Sequence, residues 1–481
     1  MPLIIPANSI SAGYEVANSL RFNQSSSDYL TRSTGTPNNR DIFTLSCWVK
    51  VSTQDVKNEM ISFYDNNDYC ALKFNGGKIQ FIVYDGGNIA SLLTNALYRD
   101  FSGWYHIVVA VDSTQATESN RIKIYVNGEQ ITSFSSATYP SQNADIIRTT
   151  MTTTGVGSSV DQLGTRTYFD GSMAHVHFID GTAYNASAFG ETDATTGIWK
   201  PKTAPSVTYG TNGFFLKFEN SGALGTDSSG NGNNLAVNNS PKQTIDTPSN
   251  VFATWNPTLA MNSTMTLANG NLAGTTGSTY ASSASNSWFS TLGVSQGKYY
   301  AEFKLSAVTG GTGGMVGVAY DLSLAQQGST ANAYNIAYLS ATGGTAYEMD
   351  GVIRYNASNL ISSLPTYTTG DIIGVALDLD NHKLYFHKNG TYINSGDPTS
   401  GATGTGSVRS LETGQEYFFG CSDGSLSNTY TYQANFGNGY FGTTAVSSAE
   451  NPDDGIGIFE YDVPTGYKAL CTKSINSQEY S

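Results

Sequence analysis

Charge is scarce in this chain. Of its 481 residues only 13% are Asp, Glu, Lys or Arg, and 24 basic residues face 38 acidic ones, a formal net charge of −14. An acidic, lysine-poor surface repels phosphate backbones, so nucleic acid is not an expected partner. No apolar run is long enough to span a bilayer, which excludes a membrane-spanning helix. The opening stretch, MPLIIPANSISAGYEV, lacks the basic flank and apolar core of a signal peptide, so synthesis in a cytoplasm is expected. Cysteine is rare: Cys47, Cys70, Cys421 and Cys471 are widely spaced and read as four free thiols, not a disulfide framework or a zinc site. No amphipathic run of helical period stands out, so little helix is expected.

What is abundant is Gly (51), Tyr (30), Ser, Thr and Asn, an outside-facing β composition, with enough hydrophobic residues (39%) for sizeable cores. The clearest stretch is Trp104 to Ile131. Ile107-Val108-Val109-Ala110-Val111 is a short apolar run and reads as a core strand. Arg121 to Val126 largely alternates, as a strand with one wet face does. Asn127-Gly128 then signals a hairpin, because both residues accept positive φ. The same grammar returns at Ile372 to Leu379, Lys383 to His387 and Asn389-Gly390. Two such motifs predict two β domains. Trp48, Val109, Val111 and Ile124 are expected in the first core; Val318, Val375 and Leu377 are expected in the second.

In the first half, SLRFN…DYL, FTLSCWVK, GWYHIVVAVD…IKIYVNGEQI and YFDGSMAHVHFID follow in order. Together they resemble the laminin-G-like, concanavalin-A-type sandwich family over roughly residues 15–240. That family often opens with an apolar strand followed by D-S-S-G-N-G-N. Here Phe214 to Glu219 and Asp227 to Asn233 come last, so the domain reads as circularly permuted, and Phe214–Phe218 is expected to pair beside Leu20 or Phe22. Asp227, Ser229 and Asn231 also match the start of a calcium loop, with oxygens at alternate positions. The Glu that would complete the loop is absent, and an Asx-rich turn accounts for the same residues without a cofactor.

Residues 240–256 have linker composition. Beyond them GKYYAEF, MVGVA, GDIIGVALDLDNHKLYFHKNG and QANFG resemble the SPRY family along nearly its whole length. The resulting fold class is all-β: two antiparallel jelly-roll sandwiches, at 1–240 and 251–471, joined by a short linker and followed by a polar tail at 472–481. Ser187 to Lys200 is read as a short helix and loop.

No catalytic constellation is present. A glycoside hydrolase needs two carboxylates facing each other across the sugar. The closest match to E-x-D-x-x-E, Glu191 to Thr196, lacks the final Glu. His175 and His177 share a strand face but have no third ligand, and read as surface imidazoles. His106 reads as a structural hydrogen-bonding residue. Tyrosine offers a flat apolar face with a polar tip, as sugar and protein binding both need. Tyr334, Tyr338, Tyr347 and Tyr355, within residues 321–365, and Tyr430 and Tyr432, within 421–434, are the candidate ligand-binding residues.

The first thirty residues, MPLIIPANSISAGYEVANSLRFNQSSSDYL, resemble the start of structural proteins of marine tailed bacteriophages. That resemblance implies a non-enzymatic virion surface protein, a tail fibre, appendage or capsid decoration. Its partners would be a host cell-surface glycan or protein and other virion proteins, with trimers common among such fibres. Two alternatives use the same residues. One is a polysaccharide-acting glycoside hydrolase. The other is a cellular adhesin or scaffold that binds proteins through SPRY.

Overall fold

The computed structural model describes residues 15–53, 58–65, 68–259, 265–276, 287–320, 322, 336–337, 343–356, 358–424 and 428–479. Strand is 45% and helix 6%, so the all-β class holds. The chain divides into two compact units between Ser249 and Asn250.

In the first unit the strands run β1 (Ser19–Phe22), β2 (Tyr29–Ser33), β3 (Ile42–Val51), β4 (Asn58–Tyr64), β5 (Tyr69–Asn75), β6 (Lys78–Tyr84) and β7 (Asn88–Thr94). Next come β8 (Tyr105–Asp112), β9 (Ile122–Val126), β10 (Glu129–Ile131), β11 (Phe134–Thr138), β12 (Thr153–Val156), β13 (Ser158–Val160) and β14 (Arg166–Tyr168). The last are β15 (Gly171–Asp180), β16 (Gly190–Thr192), β17 (Trp199–Pro201), β18 (Phe214–Leu216), β19 (Ala236–Asn238) and β20 (Lys242–Thr244). One sheet has the order β10-β9-β8-β3-β15-β1-β20; the facing sheet is β11-β7-β6-β5-β4-β12-β2-β19. Alternate residues such as Leu45, Cys47, Val49, Phe63, Leu72, Phe81, Val109, Val111 and Ile124 form the buried core.

β18 pairs with β15 through Val176↔Leu216, not with β1. β1 pairs with the start of β15, through Leu20↔Met173, while β3 occupies the other edge. So β1 and β18 lie end to end along one edge of β15. The expected side-by-side pairing is corrected, because β15 is long enough to seat both short strands. A bulge at His175 (φ 45°) separates the two contacts.

The second unit contains β21 (Thr266–Ala268), β22 (Ala273–Thr275), β23 (Ser287–Phe289), β24 (Lys298–Val308), β25 (Gly314–Ala319), β26 (Thr345–Glu348) and β27 (Val352–Tyr355). It continues with β28 (Ser358–Ile361), β29 (Ile372–Asp378), β30 (Lys383–Lys388), β31 (Thr391–Tyr392), β32 (Arg409–Ser410), β33 (Phe418–Asp423) and β34 (Tyr430–Asn435). Its sheets are β21-β22-β34-β24-β29-β30-β31 and β23-β33-β25-β26-β27-β28. Val318, Val375 and Leu377 are buried between them. A two-residue parallel contact, Tyr299↔Lys468 and Tyr300↔Ala469, is a small exception to the antiparallel pattern.

Both Asn-Gly turns form, and they do the same second job. Asn127 Oδ1 accepts from His106 N at 2.8 Å, and Asn389 Oδ1 accepts from Ile372 N at 2.8 Å. In each case the turn asparagine ties its hairpin to the preceding strand.

Three expectations need correction. Residues 240–256 are not a linker: β20 is a sheet edge, and buried Asp246 takes Lys50 Nζ at 2.8 Å and Trp104 Nε1 at 3.3 Å. Beyond the boundary, Phe252, Ala253 and Trp255 are buried in the second unit. The Ser and Thr residues there serve internal hydrogen bonds, as in Val16 N to Ser249 Oγ, 3.1 Å. The polar tail forms a helix, α1 (Thr472–Glu479), with Ile475 buried and Gln478 bonded to Lys298 N at 2.7 Å. Finally, 187–200 holds a β-hairpin, β16–β17, after one 3-10 turn (Ala186–Ala188).

That hairpin and the chain around it cover the outer face of the β8-β3-β15 sheet. Trp48 is buried there, on the face away from the main core, stacked 4.8 Å from His106. Trp199 Nε1 donates to His106 Nδ1 at 2.9 Å, so His106 must carry its proton on Nε2 and donate to Ser46 Oγ, 2.9 Å. His106 is thus structural, as expected. His175 and His177 are buried rather than on the surface, with His177 Nδ1 3.0 Å from Tyr209 Oη and its ring on Phe215.

The second unit has an equivalent arrangement. Glu302, fully buried on the outer face of β24, accepts from Tyr300 Oη (3.0 Å), Asn435 Nδ2 (3.1 Å), Glu460 N (2.9 Å) and Tyr461 N (2.9 Å). His387 Nδ1 accepts from Gly390 N at 3.0 Å, so its Nε2 donates to Tyr300 Oη at 2.6 Å. Gly374 on the neighbouring strand leaves room for that imidazole.

Burial holds His106 and His175 down to about 3 and His177 well below its ordinary value. The unfolded chain therefore takes up protons below about pH 6.5 that the folded unit refuses. Their contribution is complete above that value and is lost as pH falls from there towards 3. Each histidine is expected to remove about 1.4 kcal/mol per pH unit below about pH 6. Urea unfolding of the first unit at descending pH, followed by hydrogen exchange in 42–51 and 171–180, measures this. A midpoint that stays constant from about pH 6.5 to about pH 5 contradicts it.

Candidate functional site

Of the tyrosines singled out in the sequence, the described ones do not come together as a binding surface. Tyr334 and Tyr338 lie outside the described residues. Tyr347 in β26 and Tyr430 and Tyr432 in β34 are fully buried strand residues, not loop residues. Strand alternation turns them inward. Tyr347 packs on Tyr367 and Phe386, Tyr432 Oη lies 3.4 Å from Tyr367 Oη, and Tyr430 Oη donates to Gly310 O at 3.1 Å. Tyr355 is partly exposed, but the Arg409 guanidinium lies 3.4 Å from its ring centre and its hydroxyl donates to Glu412 at 3.1 Å. Its face is already occupied.

The Asp227 loop is closed on itself. Asp227 Oδ1 accepts from Phe215 N (2.9 Å) and Ser229 N (2.8 Å); Oδ2 accepts from Ser229 Oγ (2.8 Å) and Asn233 N (2.8 Å). Asn231 Nδ2 donates to Gly210 O (2.6 Å) and Gly213 O (2.9 Å). The arrangement is that of an Asx-rich turn joining the loop to β18. Calcium at Asp227, Ser229 and Asn231 would have to displace these bonds, so the residues do not fit a cation as they stand. Among the described residues no group of three or more His, Cys, Asp or Glu side chains could hold a metal.

The hydrolase candidates are also engaged. Asp193 accepts from Lys200 Nζ (2.9 Å), Thr195 N (2.9 Å) and Thr196 N (3.0 Å), which pulls its carboxyl well below the usual range. It staples the β16–β17 hairpin. Asp85 pairs with Arg148 at 2.8 Å.

A different set of tyrosines does converge. β4, β5 and β6 bury Phe63, Cys70, Leu72, Phe81 and Val83, so the alternate residues Tyr64, Tyr69, Ala71, Ile82 and Tyr84 share the opposite face. The Tyr69 and Tyr84 rings stack at 5.8 Å and 18°. The β13–β14 hairpin lies beside them, with Val160 packed on the cluster and Arg166 between the rings of Tyr29 and Tyr64. Tyr168 leans on Tyr29 at 5.9 Å. Gly155 in β12 is needed here, because a side chain would strike Tyr64 and the Ser158 carbonyl.

Polar groups surround this aromatic floor. Lys73 pairs with Glu59 at 3.5 Å, and Thr167 Oγ1 donates to Glu59 at 3.0 Å. Tyr69 Oη donates to Gln162 at 3.4 Å. Burial, with Glu59 next, pushes the Tyr69 hydroxyl up to about 12, so it stays a donor at neutral pH. Asp161 Oδ1 accepts from Leu163 N and Thr165 N and shapes the hairpin tip, which leaves Leu163 81% exposed. Tyr29, Tyr84, Arg166 and Tyr168 are partly exposed, while Tyr64 and Tyr69 beneath them are buried. Flat rings bordered by donors and acceptors suit a sugar ring. The available signal was Tyr64 and Tyr69 flanking one turn, with Tyr84 at the end of the next strand.

Comparison with known families agrees with the two-unit architecture. Residues 23–188 match the family described as concanavalin A-like lectin/glucanases superfamily, and residues 298–409 match the SPRY domain. No curated protein matches the chain. Among solved structures, the SPRY domain of human HERC1 is 18% identical, covering 37% of this chain and 96% of that one, with a TM-score of 0.27. The PSpry domain of TRIM65 is 14% identical, with coverages of 38% and 91% and a TM-score of 0.27. A heptameric SAP-like pentraxin from Limulus polyphemus is 12% identical, with coverages of 36% and 80% and a TM-score of 0.27. Likenesses of this size carry no argument about ligand or partner. The chain carries a concanavalin A-like domain followed by a SPRY domain, an order its motifs had already suggested.

Proposed function

We propose that this is a non-enzymatic binding protein whose first unit takes an oligosaccharide on the tyrosine face of β4, β5 and β6. The observation that carries the reading is the partly exposed Tyr84 ring, stacked on buried Tyr69 beside the β13–β14 hairpin, with Glu59 and Asp161, two acids close to Tyr69, engaged in internal bonds. A hydrolase needs one free carboxylate to protonate and a second to attack or activate water. The concanavalin A-like domain supports a glycan partner, and the SPRY domain supports a protein partner for the second unit. No cofactor is called for, since the Asp227 turn is complete without one.

The setting we propose is a virion surface, where a fibre, appendage or capsid decoration meets a host envelope and where other virion proteins and further copies of the chain are neighbours. Its support is the resemblance of the first thirty residues to phage structural proteins. Many copies on one particle would make weak single sites sufficient through effective concentration.

Tyr84→Ala is expected to weaken oligosaccharide binding by about tenfold while leaving the melting temperature of the full chain nearly unchanged, with the same result in EDTA. Titration calorimetry against a glycan panel measures this, alongside a reducing-sugar assay that is expected to stay flat. Steady sugar release abolished by a single carboxylate substitution would replace the binding reading with the hydrolase. For the setting, a gold-labelled antibody to the chain is expected to decorate tailed particles in electron micrographs. Label confined to host cells would favour the adhesin or scaffold alternative.

A further inference from the structure

Arg166 sits on the tyrosine face in unusual surroundings. Its guanidinium lies 4.7 Å from the ring centre of Tyr29 and 5.1 Å from that of Tyr64. Nη1 is fixed from two sides, donating to Tyr64 Oη at 2.7 Å and to Ser158 Oγ at 3.1 Å. Among the described residues no carboxylate pairs with it, and none of them takes its Nε–H or Nη2–H. Both nitrogens reach solvent.

This is not for want of acids. The chain has 38 acidic residues against 24 basic ones, and the neighbouring Lys73 has its own glutamate. Glu59 and Asp161, two acids close to this face, are turned to Lys73 and Thr167 and to the hairpin backbone. Nε–H and Nη2–H lie side by side on one edge of the planar group. That edge is a fork whose spacing matches the two oxygens of a carboxylate. Two rings and two hydrogen bonds hold the fork still, so little freedom remains to be lost when it is filled. Tyr168, two residues along the same strand and on the same side, offers a ring beside it.

We propose that Arg166 is an acid-group receptor and that the ligand of this face is an oligosaccharide containing uronic acid, its carboxylate in the Nε/Nη2 fork and its ring against the tyrosines. The proposal rests on the reading of this face as the glycan surface and adds the class of sugar. A purely structural Arg166, holding the hairpin through Nη1 and the stack, would show no preference for acidic sugars.

The test uses the full chain and two forms of one probe, oligogalacturonate as the free acid and as its full methyl ester. Wild-type protein is expected to bind the free acid at least about tenfold more tightly, since the ester keeps the rings and removes the charge. Arg166→Gln is expected to bring both forms to the ester's level, Arg166→Lys to recover only part of the difference, and Tyr84→Ala to weaken both forms alike. Should Arg166→Gln fail to fold, the ester comparison on wild-type protein decides alone. Equal binding of the two forms, or binding of neutral oligosaccharides only, overturns the acid receptor while the glycan face stands. Binding of neither form nor of any neutral glycan, with Tyr84→Ala without effect, removes the face and the receptor together. Tighter binding of a polyglutamate peptide than of the uronate overturns the sugar class.

Discussion

A sheet face that is covered rather than wet must have most of its polar groups answered from within the chain, and this constraint shapes both units. In the first, the stretch around β16 and β17 lies over the β8-β3-β15 face, where Ser46, His106 and Trp199 form one hydrogen-bonded line. Asp180, at the end of β15, accepts from Asn38 N and Asn212 N, tying two loops to the sheet. In the second, Glu302 receives the backbone of Glu460 and Tyr461, and Tyr300 joins it to His387. Removing one member would strand the others without water. The motif residues of the SPRY resemblance gain a physical meaning here, since Glu302 of GKYYAEF and Asn435 of QANFG touch each other at 3.1 Å.

The same constraint explains which parts of the fold were legible in the sequence. Core strands and Asn-Gly turns depend on local pattern: apolar alternation marked Val109, Val111, Ile124, Val375 and Leu377, and Asn127 (φ 49°) and Asn389 (φ 48°) took the backbone conformations their turns require. Whether the other face of a strand meets solvent or later chain is not local. His175 and His177 read the same in either case, and so did the serines and threonines of 240–249. The order of β1 and β18 along β15 depends on strand length and on one bulge. The helix at 472–479 has a single apolar anchor, Ile475, too little to mark a period.

The candidate site was less legible for a related reason. Tyrosine density drew attention to segments where Tyr347, Tyr430 and Tyr432 serve the core. Tyr64, Tyr69 and Tyr84 are scattered over three strands, and only their registers, Tyr64↔Tyr69 and Tyr69↔Tyr84, bring them together. Arg166 carried no sequence signal at all; its meaning comes from the hairpin that places it between two rings. In the first unit, the face with its buried imidazoles is closed by the chain, while the face with its partly exposed tyrosines and open guanidinium edge is the one proposed to take the glycan.

Hydrogen–deuterium exchange of the full chain, with and without a saturating uronic acid oligosaccharide, tests that claim most directly. The account expects slowed exchange in 158–168 and in the strands bearing Tyr64, Tyr69 and Tyr84, with the second unit unchanged. Protection confined to 343–361 and 405–424, with none at 158–168, would contradict it.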